Sequence, residues 1–372
     1  MLRQSTFDKL AVVLFAAGIA GLAAPAAAQP ADVAAIQTKT VLDHDLPDIL
    51  VKEGIASVSI AQIRNGRVVL TAAYGFQSPD MPATTSTLYN IASLTKPLSA
   101  EIMLRLASKD RVKLDEPMYK YWTDPDLAGD DRAKLLTLRM ALSHKSGLPN
   151  WRDRKEGLKF VNDPGSQFGY SGEGYEYAAR YTEKRAGGSF EDLAQSTLFR
   201  PAGMTETAYT GRPWFDGRVA EPNDATGKAL EPYVRKRFSA ADAVYTTPRD
   251  YATFMTNVLK DTGLTPAIAR ERWKVQTSFR EHECQGAKKA AACPQDTGMG
   301  LGWQVLAFKG ATMLMHTGKD EGVFTLAYLD RSTGEGAVIL TSSDNGAKVV
   351  LPVLERLNAS PEFIGYLKSQ MD

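Results

Sequence analysis

The two ends of this chain read as strands and its middle reads as helices, which leaves few folds open. Near the start, 56–63 and 67–74 are rich in β-branched residues. They are joined across Asn65-Gly66, the strongest short signal for a two-residue hairpin turn. Near the end, 302–308, 311–316, 323–329 and 337–342 again carry strand character, and a helical stretch closes the pattern at 347–357. Between them, helical spacing recurs at 133–143, 175–186, 190–199, 248–260 and 267–277, separated by long loops that hold most of the prolines and tryptophans. A further helical pattern precedes the first strand at 33–52, interrupted by Pro47. The economical reading is one sheet assembled from both termini, with a helical region inserted.

The first residues stand outside that fold. Arg3 and Lys9 flank a short polar start, 10–24 is apolar and uncharged, and Ala26-Ala27-Ala28 offers a small-residue cleavage site. The stretch is alanine-rich, broken by Pro25 and without a basic stop-transfer flank. It therefore reads as a cleaved signal peptide over 1–28 rather than an anchor. No cysteine follows the cleavage site, which argues against a lipid anchor. The remaining chain, 29–372, is expected to be periplasmic or secreted.

Arg3, Asp8 and Lys9 together carry the whole formal charge of +1, so the mature chain is close to neutral. A neutral surface gives no electrostatic reason to expect nucleic acid or an anionic membrane as partner. No later apolar run is long enough to span a bilayer. The only cysteines, Cys284 and Cys293, bracket a short lysine- and alanine-rich loop. In an oxidising compartment they read as a local disulfide contributing somewhat under about 3 kcal/mol. No metal-ligand pattern accompanies them, and no cofactor is expected.

The chemistry centres on Ser93-Leu94-Thr95-Lys96. Residues three apart on a helix share a face, so the lysine amine can lie beside the serine oxygen, and an adjacent base is what a serine nucleophile lacks. Chance alone would produce about one Ser-x-x-Lys in a chain of this composition, so the spacing is not specific by itself. Pro97 adds a constraint. Proline is tolerated only in the first turn, so the helix must begin at or just after Ser93, where unpaired N–H groups favour negative charge.

Four later stretches follow in order. Leu142-Ser143-His144-Lys145-Ser146-Gly147-Leu148-Pro149 leads to Pro164-Gly165-Ser166-Gln167-Phe168-Gly169-Tyr170-Ser171. Pro201-Ala202-Gly203-Met204 comes next, and His316-Thr317-Gly318 lies near the C-terminus. From about residue 55 to 345 this set resembles the serine β-lactamase-like superfamily, nearest its class C β-lactamase and D-aminopeptidase/esterase branch. The resemblance implies an α+β fold, an antiparallel sheet flanked by terminal helices plus an inserted, mostly helical lobe. It would make 29–372 a single catalytic domain, with a sheet lobe over about 45–92 and 299–372 and a helical lobe over about 93–298. It also implies Ser93 as the acylated nucleophile, with Lys96 and Tyr170 as its proton-transfer partners. His316, Thr317 and Gly318 would form the third motif, and the backbone N–H groups of Ser93 and Lys319 the oxyanion hole. Either Lys96 or Tyr170 can serve as base. His144 lies in a turn-like loop and is read as structural.

Two departures bear on substrate. The asparagine of the family's Tyr-x-Asn motif is replaced by Gly172, which has no side chain to hold an acylamino group. His316 stands where many members carry lysine, and histidine is largely neutral at pH 7. Both weaken recognition of an anionic β-lactam. The expectation is therefore a serine hydrolase acting through an acyl-enzyme on ester or amide bonds, including peptides with D-residues. The alternatives are a β-lactamase or DD-carboxypeptidase, and a non-catalytic ligand-binding member. The partner is a small-molecule or peptide substrate; oligomeric state is not legible.

Overall fold

Asn65 and Gly66 both adopt positive φ, 50° and 67°, and close the hairpin between β1 (Ser57–Arg64) and β2 (Arg67–Ser78). Two successive left-handed residues match the twist of paired strands, which is why this dipeptide was the strongest local signal. The computed structural model describes residues 30–242 and 244–371, so the expected signal peptide lies outside the described residues. The remaining strands are β3 (Met81–Pro82), β4 (Tyr89–Asn90), β5 (Tyr245–Thr246), β6 (Thr277–Ser278), β7 (Asp296–Met299), β8 (Gln304–Phe308), β9 (Ala311–Asp320), β10 (Val323–Asp330) and β11 (Glu335–Thr341).

Nine of them form one sheet in the order β3-β2-β1-β11-β10-β9-β8-β7-β6, and every neighbouring pair is antiparallel. The seam between the termini is β1 against β11, with Val58 opposite Thr341 and Ile63 opposite Gly336. Period-two alternation then sorts the side chains. Val58, Ile60, Leu326, Tyr328 and Ile339 face one side, while Ala61, Ile63, Ala327, Leu329, Val338 and Leu340 face the other.

The first face is covered by α1 (Pro30–Glu53) and by two C-terminal helices, Val350–Arg356 and Pro361–Met371. Pro47 does not break α1, contrary to the sequence reading. A proline inside a helix costs about 3 kcal/mol. Leu42, Leu46 and Leu50, spaced by four and all buried against the sheet, each return about 1.5–3 kcal/mol, so packing wins. The last helix had no counterpart in the sequence reading; Phe363 anchors it by stacking on Tyr328 at 4.4 Å.

The second face carries the helical region, led by α2 (Thr95–Ser108), whose Leu98, Ile102 and Leu106 are buried in the larger core. α2 is tied down by a buried ion-pair chain in which Glu101 bridges Arg105 and Arg272. The helix expected at 133–143 is divided. A 3₁₀ turn at Asp131–Leu135 ends, Thr137 caps the next helix by accepting from the Met140 N–H, and α3 is only Leu138–Leu142. Thr137 competes for backbone donors in a way apolar spacing does not register. The fold is thus α+β, with helices on both faces of a large antiparallel sheet. Among the described residues no helix is long and apolar enough to cross a membrane.

Candidate active site

Ser93 lies in a 3₁₀ turn, Ala92–Leu94, that runs directly into α2. The helix therefore begins two residues after Ser93, within what Pro97 allowed. The turn is fastened from every side. Ile91 N–H donates to the Val244 carbonyl, Thr325 Oγ1 donates to the Ile91 carbonyl, Tyr251 donates to the Leu94 carbonyl, and Ala92 N–H donates to Asn90 Oδ1. Ala92 is held at φ 45°, a conformation unfavourable for a residue with a Cβ and stable only where surroundings over-determine it.

Lys96, on the first turn of α2, is fully buried. Its Nζ donates to Ser93 Oγ at 3.0 Å and to the Ala241 carbonyl at 2.9 Å. Burial pushes the ammonium down to about 8, and the nearby charges of Asp242 and Glu176 oppose that shift. The 239–241 segment that offers the carbonyl is itself pinned. Ser239 Oγ and Ala241 N–H both donate to Glu176 on α4 (Gly172–Ala186), whose carboxyl is raised by its own burial.

Tyr170 borders the same serine: its hydroxyl is close enough to Ser93 for the serine to favour its ionised form, and Lys96 Nζ lies 4.8 Å from its ring centre. The ring edge borders the cleft and leaves the residue 37 % exposed, while the hydroxyl end is enclosed. Burial pushes that hydroxyl up to about 12, so it is a phenol at neutral pH.

β9 forms the third wall. Its pairing with β8 stops at Met315 opposite Gln304, whereas its pairing with β10 continues to Asp320. Residues 316–320 thus have one strand neighbour and a second edge beside the cleft. His316 is buried and Nδ1 donates to the Thr317 carbonyl at 2.7 Å. Burial first, then the Lys96 charge, pushes it down to about 3, so it is neutral. Gly318 lies against the serine turn: a methyl there would run into the Ile91 carbonyl and the Thr325 hydroxyl, and would sit 3.1 Å from Ser93 N. The absence of a side chain is what lets β9 meet the serine turn.

Ser93, Tyr170, His316, Thr317 and Lys319 line one cleft of 1060 Å³. Its opposite wall includes Phe168 and Phe279, whose rings are 5.1 Å apart, and residues Arg280–Glu283 beside the Cys284–Cys293 disulfide. Asn150, which had no motif to announce it, also lines this cleft. Its Oδ1 accepts from Gly172 N–H at 3.0 Å, and the planar amide then turns its NH₂ away from that contact. Gly172 has no room for a side chain, because a Cβ would sit 2.8 Å from the Asn150 carbonyl and 3.0 Å from the Trp151 ring. Tyr209 is buried in the helical core, bonded to Ser99. Among the described residues no group of acidic, histidine or cysteine side chains could hold a metal.

Comparison with known proteins identifies the family. A sequence profile of the beta-lactamase family matches residues 33–357. The chain belongs to the beta-lactamase family. Within that family it is similar to AmpH of Escherichia coli (strain K12), a D-alanyl-D-alanine-carboxypeptidase/endopeptidase, with 23% identity over 331 residues, 81% of this chain and 83% of AmpH. It is also similar to protein flp of Staphylococcus aureus (strain NCTC 8325 / PS 47), 25% identical over 192 residues, 46% of this chain. That match spans only 38% of the length of flp. The octameric penicillin-binding protein homologue from Pyrococcus abyssi shares the fold, with a TM-score of 0.70, 19% identity, and coverage of 85% of this chain and 77% of that one.

Gly318→Ala is expected to displace the serine turn and slow labelling of Ser93 by a fluorophosphonate roughly 100-fold, the effect of a misplacement near 1 Å. Labelling at the unmodified rate would contradict the close-approach role of Gly318.

Proposed function

We propose that this member of the beta-lactamase family is an exported serine hydrolase that cleaves ester or amide bonds through an acyl-enzyme on Ser93. The observation that carries the reading is the buried Lys96 amine 3.0 Å from Ser93 Oγ, with the Tyr170 hydroxyl beside the same serine. A base must be unprotonated to act. At pH 7, neutralising a lysine at about 8 costs about 1.4 kcal/mol, against about 4.8 for an ordinary lysine. Tyr170 is displaced the other way, so Lys96 is the base and Tyr170 hands protons between Ser93 and the leaving group.

In the first step the Ser93 hydroxyl proton passes to neutral Lys96 and Oγ bonds to the substrate carbonyl carbon. The oxyanion is stabilised by the N–H groups of Ser93 and Lys319, which the Gly318 contact draws together. The carbonyl–leaving-group bond then breaks as that group takes a proton through Tyr170. Water attacks the acyl-enzyme along the reverse proton route, releasing the acid and restoring Ser93.

Three features support peptide-like amides, D-residue peptides included, beside simple esters. The 316–320 edge can pair with an extended backbone, the Asn150 NH₂ can donate to a carbonyl next to the scissile bond, and neutral His316 offers no cation. A second reading, a DD-carboxypeptidase or β-lactamase, is favoured by Lys319 at the cleft rim and by the activity in AmpH's name.

Intact-mass analysis after incubation with activated esters, D-amino-acid amides, a penicillin and a cephalosporin tests the readings together. A single acyl adduct that disappears in Ser93→Ala, with turnover falling at least about 10³-fold, is expected. Turnover untouched by Ser93→Ala would overturn the hydrolase reading, and acylation by the β-lactams alone would select the second. The ascending limb of kcat/KM should have its midpoint near pH 8, because activity is lost as Lys96 gains its proton below that value. A flat profile from pH 6 to 9 would exclude Lys96 as base. Asn150→Ala should raise KM for amides roughly tenfold, the worth of one hydrogen bond, while sparing simple esters; equal effects on both would remove Asn150 from amide recognition.

A further inference from the structure

His144 follows α3 at the start of the Ser-Gly-Leu-Pro loop, fully buried and at φ 55°, outside the backbone range that suits a side chain. Its contacts converge on one short stretch of chain. The His144 carbonyl accepts from Gly169 N–H at 2.9 Å, and its Nδ1 accepts from Ser171 N–H at 2.9 Å. Its ring lies flat on the Tyr170 ring, with centroids 4.3 Å apart and planes 24° apart. Tyr170 is therefore held by the residue before it, the residue after it and its own face, all from one side chain and its peptide.

The protonation state follows from the acceptor role. Nδ1 takes a hydrogen bond, so the neutral ring carries its proton on Nε2. That Nε2 is buried with no hydrogen-bond partner among the described residues. A partnerless N–H is unfavourable, and an aromatic hydrocarbon would fill the same space without it. What a hydrocarbon cannot supply is the acceptor for Ser171 N–H. The strained backbone and the orphaned nitrogen are both tolerated at a residue whose distinctive contribution is to the position of Tyr170.

We propose that His144 is a positioning residue for catalysis, fixing the Tyr170 hydroxyl beside Ser93 by accepting from Ser171 N–H and stacking beneath the Tyr170 ring. This rests on the reading above in which Tyr170 moves protons at Ser93.

A double-mutant cycle on the full-length protein separates the two. His144→Phe keeps a ring and removes the acceptor, His144→Asn keeps an acceptor near Nδ1 and removes the ring, and Tyr170→Phe removes the hydroxyl. His144→Phe is expected to lower kcat about 10- to 100-fold with KM within about threefold, and His144→Asn to retain more of kcat than His144→Phe. In the Tyr170→Phe background, His144→Phe should cost less than about twofold further, because the hydroxyl it positions is already gone. Losses that multiply, or a His144→Phe enzyme with unchanged kcat, would overturn the proposal. An unimpaired Tyr170→Phe enzyme would instead overturn the role of Tyr170 itself. If His144→Phe does not fold, ¹⁵N spectroscopy of the unmodified protein reads the same contact. His144 should show an unprotonated Nδ1 at pH 7 and His316 a protonated one, the opposite tautomer; a protonated Nδ1 on His144 overturns the proposal.

Discussion

The site depends on an amine placed where water cannot reach it. Lys96 donates to Ser93 Oγ and to the Ala241 carbonyl and has no solvent exposure. Holding it charged there at pH 7 costs about 3 kcal/mol relative to an ordinary lysine. The same burial makes the neutral amine accessible near pH 8. The surrounding structure keeps the amine from escaping. Glu101 bridging Arg105 and Arg272 anchors α2, and Glu176 fixes the 239–241 segment that supplies the carbonyl.

The sheet brings the rest within reach. β1 and β11 join the two ends of the chain, and the alternation of faces puts His316 and Gly318 on the side that carries the helical region. Terminal helices cover the opposite face, so this face is left to meet the serine turn. Gly318 then decides how close that meeting is. The serine turn, the tyrosine loop and the β9 edge come from three parts of the sequence, and each is secured by hydrogen bonds to its backbone.

Those parts were unequally legible in the sequence. The β1–β2 hairpin could be read because Asn65-Gly66 demands one backbone geometry, and the start of α2 because Pro97 allows few. The strand-rich ends likewise pointed to the α+β class. Other features depend on distant partners. α1 runs through Pro47 because Leu42, Leu46 and Leu50 pack on the sheet, and the helix at Pro361–Met371 rests on a stack between Phe363 and Tyr328. In the candidate site, Ser93, Lys96, Tyr170 and His316 lay in ordered motifs. Asn150, Phe279 and the Ala241 carbonyl did not, because a cleft wall drawn from separate loops, or a backbone atom, leaves no residue pattern. His144 could be named and assigned to structure, but its two hydrogen bonds around Tyr170 could not be foreseen.

The altered third motif gives the cleft its character. His316 is neutral there, and Asn150 packs against Gly172 where no side chain fits, its Oδ1 accepting from the Gly172 N–H. The proton affinity of Lys96 decides whether it can act as base on Ser93 at neutral pH. Following the Lys96 Cε resonance by ¹³C NMR in the full-length, lysine-labelled protein from pH 6 to 11, assigned by comparison with Lys96→Arg, measures it directly. A midpoint near 8 is the predicted result, and a midpoint at the ordinary 10.5 would contradict the account.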